Sequence, residues 1–187
     1  MIKGQIDPRR KADPPALRIA AGVDRVVTVA AAAVALGSII AIFLALLAEV
    51  LIRYLTTRGL GWPTEVPNLL FPWLVMGGIV LAAHRGAHIA VSILLHALTP
   101  GAAKVLLVGM QLLVAATFVF LSYVSIAVVE ITGNQLFPVT GIPQLYAYLS
   151  MFFGFGGIAI ISLVTLIKVL YADDPRSVLD EGAEGSV

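Results

Sequence analysis

Residues 61–88 read GWPTEVPNLLFPWLVMGGIVLAAHRGAH, and this stretch decides the fold. From Pro67 to Ala83 it carries no charge, while Trp62, Pro63 and Glu65 mark one end and His84, Arg85 and His88 the other. Tryptophan settles at the headgroup level because its apolar body carries one N–H to satisfy. Proline at the head of a helix gives up a donor that had no partner there anyway. The stretch therefore reads as one membrane crossing that begins near Glu65. Pro67 and Pro72 each remove a backbone hydrogen bond and predict a bend. Gly77-Gly78 offers a flat spot for close helix packing.

Working outward, the whole chain shares this character. Of its 187 residues 59% are hydrophobic and 12% charged, and the mean hydropathy is +0.98, far from the balance of a soluble domain. Apolar runs lie at Val26–Ile52, Pro67–Ala83, Val105–Val129 and Ile142–Ile167, each close to or above the ~20 residues that a helix needs to cross hydrocarbon. No alternating segments of about 10 residues, the mark of a membrane β-barrel, are present. The fold class is an all-α integral membrane protein with four transmembrane helices. The first run is too long for the core of a cleavable signal peptide and follows a polar leader, so it is expected to remain in the mature protein. Without cysteine, disulfides and thiolate metal sites are excluded.

Three parts are expected: a basic cytoplasmic leader at 1–25, a four-helix membrane domain at 26–170, and an acidic disordered tail at 171–187. The leader carries Lys3, Arg9, Arg10, Lys11, Arg18 and Arg25, and is expected to become an interfacial helix from about Ala16. Beside a membrane span, such a basic run holds its end in the cytoplasm and meets anionic lipid; nucleic acid is not expected as a partner. Arg85, Lys104, Lys168 and Arg176 would lie on the same side, against only Arg53 and Arg58 in the outer loops. This bias predicts both termini inside.

Several faces can be read in advance. Gly37, Ala41 and Ala45 form a row of small side chains in the first span, suited to close approach of another helix, and Glu49 continues the row. Glu49 stands one turn before Arg53, in the order that favours an intrahelical ion pair. From Arg85 to Leu98 the polar residues Arg85, His88, Ser92 and His96 fall on a narrow arc, predicting a short amphipathic interfacial helix between the second and third spans. Lys104, Gln111, Ser122 and Ser125 share one face of the third span, which is therefore expected to be buried. Pro138, Gly141 and Pro143 shape the last outer loop, and Ser150, Gly154, Gly156 and Gly157 allow tight contact in the fourth span.

No catalytic set emerges: there are no paired carboxylates, no phosphate-binding glycine loop and no charge at the middle of any span. Zinc would need a third ligand beside His84 and His88, and a bis-histidine haem needs its ligands on facing helices, so neither metal nor cofactor is expected. A transporter working alone needs polar groups near the midplane. The residues thus point to a four-helix subunit that scaffolds a larger partner. Two other readings stay open: a small dimeric drug or cation exchanger using Glu49, and the anchor subunit of a respiratory complex.

The run Arg53-Tyr54, Trp62 and Glu65 at W-x-x-E spacing, Trp73, Gly77-Gly78, Arg85 and His88-Ile89-x-Val91, followed by Pro138 and Gly141-Ile142-Pro143, resembles the small membrane subunit of tripartite ATP-independent periplasmic (TRAP) transporters, the DctQ-like family. The resemblance covers about Ala30 to Leu170. It implies a multi-pass protein of the bacterial inner membrane that works with a large membrane subunit and a periplasmic substrate-binding protein. The expected activity of that assembly is sodium-coupled import of organic anions, carboxylates or acidic sugars, with sodium and substrate held by the large subunit. Arg53, Trp62, Glu65, Trp73, Arg85 and His88 are the matched positions, with packing and docking roles rather than catalytic ones.

Overall fold

The computed structural model describes residues 15–56, 58–86 and 99–171, with the backbone alone at 15, 16, 84–86 and 100. Four helices dominate: α1 (Pro15–Thr56), α2 (Val66–Gly86), α3 (Pro100–Thr132) and α4 (Leu145–Tyr171), with a 3-10 turn at Trp62–Thr64 leading into α2. All four are long and apolar enough to cross a membrane. Of the expected interfacial helix from Arg85 to Leu98, Arg85 and Gly86 form the end of α2, while residues 87–98, with His88, lie outside the described residues, as does the acidic tail after Tyr171.

The helices make a layered arrangement. α1 packs on α2, α2 on α4, and α4 on α3, with a smaller contact between α1 and α4. The shared core joins Ala31 of α1, Val80 of α2 and Ile158 and Ile161 of α4, with Val114 and Phe118 of α3 packed at its edge. A second cluster of Ala103, Leu107 and Val169 closes α3 on α4. Small residues set these approaches. A methyl placed on Gly77 would stand 2.9 Å from the Ala31 carbonyl oxygen and 3.1 Å from Ala35 Cβ, and one on Gly157 would meet Val80 at 3.1 Å. Gly154 is likewise filled from the other side by Met76, whereas Gly78 and Gly156 face open space.

Two expectations shift on contact with the structure. The row Gly37, Ala41 and Ala45 is used only in part: Ala45 is buried, and Gly37 and Ala41 line a shallow hollow with Leu70 and Trp73 of α2. A methyl on Gly37 would meet nothing within 4 Å, and the tightest approach is at Ala31 and Ala35, where Gly77 presents its bare Cα to α1. Glu49 does not pair with Arg53; its carboxylate accepts the Leu60 N–H at 2.9 Å and occupies the space beside Gly59, so the acid folds the loop back rather than anchoring its own helix. Pro138, Gly141 and Pro143 do lie in the outer loop as expected, a tight one in which Pro143 bridges to Leu136, and the helix starts at Leu145. Further, α1 is continuous from Pro15, so its expected interfacial start runs straight into the span. α2 likewise continues through Pro72.

The polar face of α3 is buried as the spacing predicts. Ser125 is buried, Lys104, Gln111 and Ser122 are half-buried, and the Lys104 ammonium donates to the Leu170 carbonyl at 3.2 Å.

Charges among the described residues gather in two bands. One end of the layer holds Arg18, Asp24, Arg25, Lys104 and Lys168; the other holds Glu49, Arg53, Arg58, Glu65 and Glu130. Between them residues 26–48, 66–83, 105–129 and 145–167 carry no Asp, Glu, Lys or Arg. From Arg25 to Glu49 the helix rises about 36 Å, enough for a hydrocarbon layer of ~30 Å with a margin at each face. The basic end is closed by an ion pair in which the Lys168 ammonium lies 2.9 Å from the Asp24 carboxylate.

Candidate functional site: the clasp at the acidic end

Two glycines with positive φ shape the acidic end. Gly61 (φ 78°) turns the chain out of the loop after α1, and Gly141 (φ 67°) closes the loop between α3 and α4, a backbone state that other residues rarely adopt. After Gly61, Thr64 donates its hydroxyl and its N–H to the Gly61 carbonyl, and the Glu65 N–H reaches Trp62 O at 3.1 Å. The turn is pinned from inside by Pro63, which is fully buried, while Trp62 remains 45% exposed.

This geometry delivers Glu65 into the loop from the other side of the chain. One carboxylate oxygen accepts the Val139 N–H at 2.7 Å; the second accepts the Thr140 N–H at 2.9 Å and the Thr140 hydroxyl at 2.7 Å. With only 8% of its surface exposed, the acid is satisfied by donors, as a buried carboxylate must be. Each donor suits the ionised form, which can only accept. The loop is prepared to offer those amides: Phe137 N–H donates to Ile142 O at 3.0 Å, Gly141 N–H to Phe137 O at 2.9 Å, and Gln144 N–H to Gln135 O at 2.8 Å. The ladder's own bonds leave Val139 and Thr140 at the tip with N–H groups turned toward the carboxylate.

Two turns below, Trp73 repeats the tie. Its indole N–H donates to the Tyr146 carbonyl at 2.8 Å, and its ring lies 5.8 Å from that of Phe153. Tyr146 is in the first turn of α4, where a carbonyl would ordinarily be spent within the helix, so the indole supplies a second donor. Trp73→Phe keeps the ring contact and deletes the hydrogen bond; thermal unfolding in detergent should show a loss of about 1 kcal/mol.

Of the residues singled out by sequence, the structure brings Glu65 and Trp73 together onto the α3–α4 loop and the start of α4. Trp62 sits at the rim with its ring outward, and Arg53 is exposed near the end of α1. Arg85 has only its backbone described and His88 lies outside the described residues. Sequence reasoning missed Val139 and Thr140. Their signal was indirect: an acid at the head of an apolar span with no cation one turn away needs donors from elsewhere, and a loop with Pro138, Gly141 and Pro143 exposes unpaired amides. Trp62, Leu136, Val139 and Tyr146 are all exposed at this end, with Val139 close to Gly61, so the clasp carries exposed apolar side chains.

Comparisons with known proteins fit this architecture. Residues 42–171 match the family described as tripartite ATP-independent periplasmic transporters, DctQ component. An uncharacterised protein, y4mM, of Sinorhizobium fredii is 37% identical over 70% of this chain, which covers 24% of that relative's length. A putative TRAP transporter small permease protein of Haemophilus influenzae is 28% identical over 53% of this chain, covering 60% of the relative. The ectoine TRAP transporter small permease protein TeaB of Halomonas elongata is 30% identical over 68% of this chain and 67% of its own. This multi-pass membrane protein, with Glu65 and Trp73 inside the matched stretch, thus belongs to the DctQ family of small TRAP transporter subunits.

Proposed function

We propose that the chain braces the large membrane subunit of a TRAP transporter and helps the periplasmic substrate-binding protein to dock, during sodium-coupled import of organic anions such as carboxylates or acidic sugars. The observation that carries this reading is the charge-free slab between the two bands. An anionic substrate and its coupling ion need charged groups or broken helices near the midplane; among the described residues the middle of the slab holds hydroxyls such as Ser38 and Thr117 but no charge, so the chain serves a partner that supplies them. Family membership supports the same assignment, and in the Sinorhizobium relative the matching stretch is about a quarter of a longer chain, as a unit joined to something larger would be. The Haemophilus and Halomonas relatives are named as small permease proteins of such transporters.

On this reading the basic band faces the cytoplasm of a bacterial inner membrane and the acidic band the periplasm. The clasp then stands where a binding protein arrives, and Trp62, Leu136 and Val139 form its apolar edge. Arg53, Arg85 and His88 are the further docking positions.

The test is a pull-down of the tagged chain from gently solubilised native membranes with mass spectrometry of what accompanies it. A much larger polytopic protein in equal amount is the expected result. Recovery of the chain alone, as a stable dimer, would overturn the reading in favour of a small exchanger and make Glu49 the first residue to mutate.

A further inference from the structure

On the flank of α1 beside α2, we infer a docking groove for a transmembrane helix of a different chain, the large membrane subunit, with Ser38 hydrogen-bonded to a polar group that this helix brings. The inference rests on the bracing role proposed above and says which face performs it. A hollow of about 340 Å³ lies there, walled by Ala33, Gly37, Ser38 and Ala41 of α1 and by Leu70 and Trp73 of α2. Ala33, Gly37 and Ala41 stand at four-residue spacing, so they form one strip along the helix, and a methyl on Gly37 would meet nothing within 4 Å. Away from the strip α1 is bulky, with Leu36, Ile39, Phe43 and Leu47 all exposed. Large apolar side chains suit lipid; a bare strip suits the close approach of another helix.

Ser38 supplies the second observation. Only 6% of it is exposed, yet its hydroxyl has no hydrogen-bond partner among the described residues. The Thr117 and Ser125 hydroxyls each donate to the carbonyl four residues before, at 2.8 Å. The Thr28 hydroxyl also goes unpartnered but is sealed in, whereas that of Ser38 opens on the hollow. A serine hydroxyl can donate one bond and accept others, and in hydrocarbon an idle one is costly.

Depth selects a helix over lipid. Along the axis Ser38 stands about 20 Å from Arg25 and about 16 Å from Glu49, close to the middle of the charge-free slab. Acyl chains reach this level, but they carry nothing that bonds a hydroxyl. A polypeptide does, and within hydrocarbon it comes as a helix. Shape selects a different chain over a second copy. A two-fold pair sets hollow against hollow and leaves both hydroxyls facing a void, while a head-to-tail pair keeps adding copies as a ring or a filament. A convex helix of another protein fills the groove once.

The tagged chain, pulled down from gently solubilised native membranes, tests this through the amount of large protein recovered with it. Gly37→Leu fills the hollow and should cut that recovery about tenfold. The purified variant should melt no lower than the parent, because its new side chain enters open space. Ser38→Ala should weaken the association about threefold in a dilution series, the share of one interhelical hydrogen bond. Gly109→Leu, at an equally open position of α3, should change nothing. If Gly37→Leu melts lower, Ala33→Leu, exposed on the same strip, carries the test. Undiminished recovery in either the groove-filling variant or Ser38→Ala would overturn the inference, as would equal loss in Gly109→Leu. The chain has no cysteine of its own, so disulfide-linked dimers of a Gly37→Cys variant would reveal a second copy in the groove and overturn it as well. Failure of the parent chain itself to recover any large protein would overturn the bracing role instead.

Discussion

Glu65→Ala is expected to release the loop between α3 and α4. Three donors, the Val139 and Thr140 N–H groups and the Thr140 hydroxyl, lose their acceptor in one step. Hydrogen exchange of peptides covering 133–145 should then run about tenfold faster or more at the two amides, since bonds to an ionised acceptor are the stronger kind. Glu65→Gln is no rescue. Its amide oxygen can serve Val139, but its NH2 then confronts the Thr140 N–H, donor against donor. Glu65→Asp is one methylene short of reaching both amides. Thr140→Val removes one donor of the three and should have the smallest effect. If the clasp presents the docking edge, recovery of the larger partner and of its binding protein should fall in the same order; unchanged exchange in Glu65→Ala would remove the clasp from the account.

Gly77→Ala should be strongly damaging for a single methyl in the membrane. The added carbon would meet the Ala31 carbonyl oxygen at 2.9 Å and the Ala35 N and Cβ at 3.2 and 3.1 Å. Backbone cannot swing aside as a side-chain tip can, so α1 and α2 must separate. Overpacking of this kind costs about 1–3 kcal/mol. Gly78→Ala is the internal control: nothing lies within 4 Å of its added methyl, and relief of glycine's helical entropy should make it neutral or stabilising by up to ~1 kcal/mol. The two variants share composition and differ by one position, so the difference between their melting temperatures in detergent isolates the α1–α2 contact. Equal melting temperatures would mean that the seam gives way without cost.

The four helices were legible because each is an uninterrupted apolar run of the length hydrocarbon demands, a signal that needs no tertiary context. The face of α3 with Gln111, Ser122 and Ser125 was legible too, since polar groups in lipid must turn inward. What could not be read was where along α1 the tightest contact with α2 falls. Ala31, Ala35, Ser38 and Ala45 are all buried on one face of α1, Gly37 lies well round the helix from them, and only the partner's Gly77 puts the closest approach at Ala31 and Ala35. Glu49 with Arg53 shows the same limit: local spacing favoured a pair, but the Leu60 N–H, eleven residues on, donates to the carboxylate instead. Glu65 was recognised as marking the start of a span, while its partners, more than seventy residues away, depend on loop geometry that composition does not encode.

The paired charge bands have a mechanical consequence. Raising this protein by a single helical turn, about 5.4 Å, would draw the acids of one band or the cations of the other into the edge of the hydrocarbon, each at a fraction of the roughly 2.5–3.5 kcal/mol that a charge costs at the centre of the layer. The bands thus hold its altitude together, although they do not restrain it sideways. On the proposed reading, a large subunit that moves along its flank does so against a stationary datum, and vertical travel is measured from this subunit.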